Sequence, residues 1–119
     1  MQDELKFVHD KFYDAFQKEE WGEIILILTY LRKSTVENSS PTFIKALINM
    51  GIIPHILYFL SEKFMQNQKL QIESAWLLAN VSTAPTEDIQ YLVQEKIIPV
   101  CAKALKFDND QLHENVKIF

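Results

Sequence analysis

Apolar and polar positions along this chain alternate with a helical period. In DELKFVHDKFYDAFQ, residues 3–17, Leu5, Val8, Phe12 and Phe16 recur at spacings of three and four, which places them on one helical face, with Asp3 and Glu4 in the favourable first turn. WGEIILILTYLRK, residues 21–33, is rich in β-branched residues that would suit a buried strand, but no second strand is available to pair with it, so a buried helix is expected. The polar stretch STVENSSPT, residues 34–42, reads as a loop.

Beyond that loop the pattern repeats. ALINMGIIPHILYFL at 46–60 and YLVQEKIIPVCAKAL at 91–105 align at an offset of 45 residues, so that Leu47 meets Leu92, Ile52-Ile53-Pro54 meets Ile97-Ile98-Pro99, and Leu60 meets Leu105. Past the next loop Leu70 pairs with Leu112 at an offset of 42. A period in the low forties with several short helices per unit is the signature of a helical solenoid of the armadillo or HEAT kind. Proline lacks the N–H that a helix interior needs but is tolerated in a first turn, so Pro54 and Pro99 are expected to end one helix and begin another at a sharp angle. Gly51 can take the left-handed conformation that ends the first of these helices, which Lys96, its counterpart, would find harder. The expected helices are 42–49, 54–62 and 70–83 in the first copy, then 86–95, 98–106 and 111–119 in the second. As domains, this is one armadillo-like unit over 1–119: N-terminal helices at 1–33, a repeat at 42–83 and an incomplete repeat at 86–119.

Within the long helix, ESAWLLANVS at 73–82 raises a question of placement. At about 100° per residue, Leu70, Ser74, Leu77, Leu78 and Val81 form the core side, and Glu73, Trp76, Asn80 and Thr83 fall opposite. An indole there offers a face for the stem of a lysine or arginine, and an asparagine four residues on can both donate to and accept from an extended peptide backbone. The alternative is that the indole packs on a neighbouring helix, the amide bridges a loop and Glu73 is a solvated charge.

LQIESAWLLANVS, followed by EKIIPVCAKAL, resembles the armadillo repeats of the importin-α (karyopherin-α) family over about residues 23–119. The resemblance implies an all-α, right-handed superhelical solenoid of about two repeats plus an N-terminal helix. It also implies a non-enzymatic module that binds extended basic peptides of the nuclear-localisation-signal kind in nuclear protein import, in the cytoplasm and nucleus. On that reading Trp76 stacks on the cation, Asn80 holds the backbone, Glu73 supplies charge and Thr83 lines the same groove. The chain departs from the family pattern where Ile118 takes the place of the next tryptophan, Ala84 that of a glycine and Ile89 that of a threonine; no KRR-like cluster marks the N-terminal segment.

Composition narrows the classes. Twelve basic against sixteen acidic residues, a net charge of −4 and no run of five like charges argue against a nucleic-acid partner. The longest apolar run, IILIL at 24–28, is far short of the roughly 20 residues that span a bilayer, so no membrane partner is expected. The lone Cys101 sits in an apolar stripe and reads as a small buried filler in a reducing compartment. His9, His55 and His113 have no metal-like spacing, and two glycines form no phosphate loop, so no catalytic residue, metal or cofactor is expected. The rival to peptide binding is a structural armadillo subunit that scaffolds a complex without reading a signal peptide. Its basis is NVKIF: Val116, Ile118 and Phe119 present an apolar end, expected to dock in self-association or a larger complex.

Overall fold

The computed structural model describes residues 2–37, 41–82, 89–90, 93–104, 106 and 110–116; among them regular structure is helical throughout, with no strand. Helix α1, Gln2–Gln17, buries Leu5, Val8 and Phe12 of the predicted face together with Ala15, while Phe16 of that face is half-buried against the core. It ends through Glu19, whose φ of 54° is left-handed, and Glu20 N–H donates back to Ala15 O at 2.9 Å.

Helix α2, Trp21–Glu37, is a helix as expected, and it runs four residues into the stretch predicted as a loop. Two hydroxyls explain the extension. Ser34 Oγ donates to Tyr30 O at 2.9 Å and Thr35 Oγ1 to Arg32 O at 2.6 Å, so residues that favour turns in isolation bond to helix carbonyls instead. Thr35 is also buried, and tertiary packing overrides its weak helix propensity. The remainder of the predicted loop, 38–40, lies outside the described residues, and α3, Pro41–Asn49, opens on a proline where a missing N–H costs nothing.

Gly51 ends α3 as anticipated, with φ 78° and its N–H on Ile48 O at 3.0 Å. Helix α4, Ile53–Phe59, then starts with Pro54 in its first turn and is bent 72° from α3. It stops three residues earlier than predicted because Gln71 Nε2 donates to Phe59 O at 3.3 Å and Ser61 O at 3.0 Å, satisfying carbonyls at its C-terminal end. A single 3₁₀ turn, Glu62–Phe64, leads to α5, Gln68–Ser82, which Asn67 caps by accepting from Leu70 N–H at 3.3 Å.

The second copy departs from the first where the sequence does. In place of a left-handed stop, Val93–Ile97 form one widened π-type turn that runs directly into α6, Ile98–Ala104. Lys96 has no positive φ, since a Cβ disfavours it, and the widened turn stands where the first copy has its left-handed stop. Of the predicted helix 86–95, residues 86–88 and 91–92 lie outside the described residues. Helix α6 ends short of the predicted 106, and α7 covers Asp110–Val116. Repeat-equivalent pairs nonetheless share burial: Ile52 with Ile97, Ile56 with Cys101, Phe59 with Ala104 and Leu70 with Leu112 are all at most 3% exposed. Ile53 and Ile98 differ, at 4% and 39%.

Helix α5 packs against α2 on one side and α7 on the other, so the last helices of successive units lie side by side while α1, α4 and α6 cover them. This is an all-α armadillo-type right-handed solenoid of about two repeats preceded by an N-terminal helix. An aromatic seam fastens its first layers: Phe59 lies 5.4–6.3 Å from Phe12, Phe16, Trp21, Tyr58 and Phe64, ring centroid to centroid. Trp21 is thus packed against the interior, whereas Trp76 is 40% exposed.

Candidate functional site

Helix α5 is the middle of the three adjacent last helices, and it is buried nearly all round, polar Gln71, Glu73 and Ser74 included. Leu70, Ser74, Leu77, Leu78 and Val81 are buried, as the helical wheel requires, and so are Ala75 and Ala79. Trp76 emerges from this helix between α2 and solvent.

Arg32 of α2 meets it there. The Arg32 Cζ lies 3.6 Å from the centroid of the Trp76 ring, a stacked cation–π contact. The same guanidinium forks onto Glu73, with Nε donating to Oε2 at 2.6 Å and Nη2 to Oε1 at 3.2 Å. Both side chains are largely out of water, at 13% and 9% exposure for Arg32 and Glu73. Glu73 is therefore buried, against its expected position on the water side. The wheel treats α5 alone, whereas α2 brings an arginine across to cover the carboxylate.

Asn80 also faces α2. Its Nδ2 donates to Arg32 O at 3.3 Å and to Thr35 Oγ1 at 3.1 Å. Arg32 is thus held at its side chain by Glu73 and at its backbone by Asn80, the residues three before and four after Trp76. Of the four groove residues drawn from the sequence, the structure gathers Glu73, Trp76 and Asn80 around one arginine; Thr83 lies outside the described residues. So do Ile118 and Phe119, and so does the side chain of Val116, the three residues of the predicted docking end.

Sequence reasoning missed Arg32 and Thr35. One signal was available: Arg32 is the sole arginine among 12 basic side chains. Where a planar fork must pair with a carboxylate and stack on a ring, lysine is no substitute.

Elsewhere, exposed apolar side chains concentrate on α1 and α2. Phe7, Leu26 and Tyr30 are 63%, 65% and 42% exposed and, with Val8 and Ile27, line a groove of about 370 Å³ edged by Glu4, Lys11 and Glu23. Cys101 is buried on the inner side of α6, and loss of solvation pushes its thiol pKa up to about 11, which suits the predicted role of a small buried filler. Among the described residues no group of three or more His, Cys, Asp or Glu side chains is placed to hold a metal, and no single helix is long and apolar enough to cross a membrane.

The sequence is similar to importin α subunits of plants. It is 29% identical over 87 residues to importin subunit alpha-6 of Arabidopsis thaliana, covering 72% of this chain and 15% of that one. It is 27% identical over 101 residues to importin subunit alpha-1b of Oryza sativa subsp. japonica, covering 84% and 18%. To importin subunit alpha-1a of the same plant it is 31% identical over 81 residues, covering 67% and 14%. The chain thus spans less than a fifth of the length of these relatives. No protein-family model matches it, and no solved structure matches it significantly. Helices in armadillo order, a Trp–Asn pair on the middle last helix and this run of similar subunits together make the chain a divergent member of the importin-α armadillo-repeat family.

Proposed function

We propose that this chain is a non-enzymatic protein-interaction module of nuclear import, which receives an extended basic peptide of the nuclear-localisation-signal kind across the exposed side of Trp76. One observation carries the reading: an indole on the middle last helix remains 40% exposed although one face is already stacked on a guanidinium. The stack on Arg32 shows that this indole accepts a cation on its face, and its exposed part is where a second would approach. Membership of the importin-α family supports the peptide's basic character and a location in the cytoplasm and nucleus.

The structure changes the roles assigned to the neighbours. Glu73 pairs with Arg32, so the peptide's charge is drawn by the π face rather than by a free carboxylate. Asn80 directs its Nδ2 to α2. One desolvated cation–π contact contributes about 2 kcal/mol, and micromolar binding needs about 8. The peptide backbone and neighbouring groove segments therefore supply most of the affinity.

Titrating a lysine-rich signal peptide while following tryptophan emission tests this. The wild type should change signal saturably and Trp76→Ala should not; equal responses from both would refute the assignment of Trp76.

A second reading, a structural subunit that scaffolds an assembly, is favoured by the α1–α2 groove. Its Lys11 beside Glu4 and Glu23 makes the edge self-complementary, and a second copy of this chain fits that chemistry. Sedimentation at high concentration should then show a dimer that Leu26→Glu abolishes; a monomer throughout would remove this reading.

A further inference from the structure

We infer that Arg32 is the positioning residue of the peptide platform: its guanidinium backs one face of Trp76 and fixes the indole so that the ligand's cationic side chain stacks on the opposite face. The inference rests on the peptide-reading role of Trp76 proposed above.

Arg32 is clamped from both sides of the residue it touches. Glu73 takes its guanidinium through two hydrogen bonds, at 2.6 and 3.2 Å, and Asn80 takes its backbone carbonyl at 3.3 Å. Thr35 donates to that same carbonyl at 2.6 Å while accepting from Asn80, which closes a small network between α2 and α5. The plane of the guanidinium is set by the fork, and its Cζ, held 3.6 Å from the ring centroid, in turn restricts the rotation of the indole. With Arg32 stacked against it, Trp76 is still 40% exposed.

The charge arrangement agrees. An unpaired Arg32 would repel a second cation approaching the same ring. Paired with Glu73 it forms a neutral backing, and the outer face keeps its attraction for a lysine or arginine stem. Lysine at position 32 would satisfy Glu73 as a point charge without a plane to lie on the indole, so this exchange separates positioning from simple neutralisation.

The experiment compares wild type, Arg32→Lys and Arg32→Ala in a Trp21→Phe background, where the emission of Trp76 is read alone, and follows peptide binding to these and to Trp76→Ala by the anisotropy of a labelled peptide. Arg32→Lys should unfold cooperatively like the wild type, yet bind a lysine-rich peptide about tenfold more weakly and expose Trp76 to faster acrylamide quenching. Methylguanidinium added to Arg32→Ala should restore slow quenching and peptide binding, and should do nothing for Trp76→Ala. Should Arg32→Ala fail to fold, the lysine variant decides. Folded Arg32→Lys with wild-type affinity and unchanged quenching would overturn the inference. If Trp76→Ala binds peptide as the wild type does, the reading of Trp76 fails, and the quenching comparison by itself still decides whether Arg32 holds the ring.

Discussion

Replacing Glu73 by leucine leaves a guanidinium at 13% exposure with no carboxylate, and replacing Arg32 by methionine leaves a carboxylate at 9% with no cation. Removing one partner of a buried pair costs about 3–5 kcal/mol, because the other charge remains desolvated. The edges of this pair still touch water, which places each single substitution near the lower figure, about 3 kcal/mol. Arg32→Met additionally loses the stack on Trp76, a further loss of about 1–2 kcal/mol. The double variant removes both charges and fills the space with apolar atoms, so its cost should fall below the sum of the singles by at least about 2 kcal/mol. Equilibrium urea denaturation, followed by far-UV circular dichroism, gives all four corners of the cycle. The slope with denaturant should stay constant while the midpoint moves, and thermal midpoints should drop by about 4 °C per kcal/mol in a chain of this size. Molar salt should change the coupling little, since a covered pair is poorly screened. Single substitutions costing under about 1 kcal/mol that add without coupling would describe an exposed, screened ion pair. They would refute the account of Arg32 as a clamped residue.

Three further outcomes follow from particular positions. Ser74 is fully buried on α5 and its Oγ finds no hydrogen-bond partner among the described residues, so Ser74→Ala should stabilise the fold by about 1 kcal/mol in the same denaturation assay, and a loss of stability would contradict the packing. Gly51 has φ 78°, and a Cβ added there would fall 3.4 Å from the Tyr13 hydroxyl, whereas Glu19 has φ 54° despite its side chain. Gly51→Ala should therefore destabilise, and Glu19→Gly stabilise, each by about 1 kcal/mol, and the same sign for both would be inconsistent with left-handed backbone at these turns. For Cys101, whose thiol pKa is raised to about 11 by burial, alkylation by iodoacetamide at pH 8 should be slow in the native protein and fast in urea. The folded state holds the proton more tightly than the unfolded one, so this group's stabilisation is present below pH 9 and declines as pH climbs toward 11. Rapid native labelling would show that Cys101 is open to solvent.

Much of the architecture was legible because it depends on local and repeated signals. The three-and-four spacing of Leu5, Val8 and Phe12 and the Gly51–Pro54 corner belong to short windows, the return of Ile52 as Ile97 is a repeat of one of them, and each is realised as read. Helix ends were less legible because partners distant in sequence set them: Gln71 ends α4, and the burial of Thr35 carries α2 through a segment that reads as a loop.

The site divides in the same way. The sequence alone determined that Trp76 stands off the core stripe of its helix, and that Glu73 and Asn80 flank it at helical spacing. Only the tertiary structure decided what these flanking residues touch. Arg32 lies 41 residues from Glu73 and 48 from Asn80 along the chain, and no periodicity within a single helix can report a partner brought in by another. A helical wheel fixes the direction of a side chain relative to its own axis; whether that direction meets water or a guanidinium is set by how neighbouring helices pack.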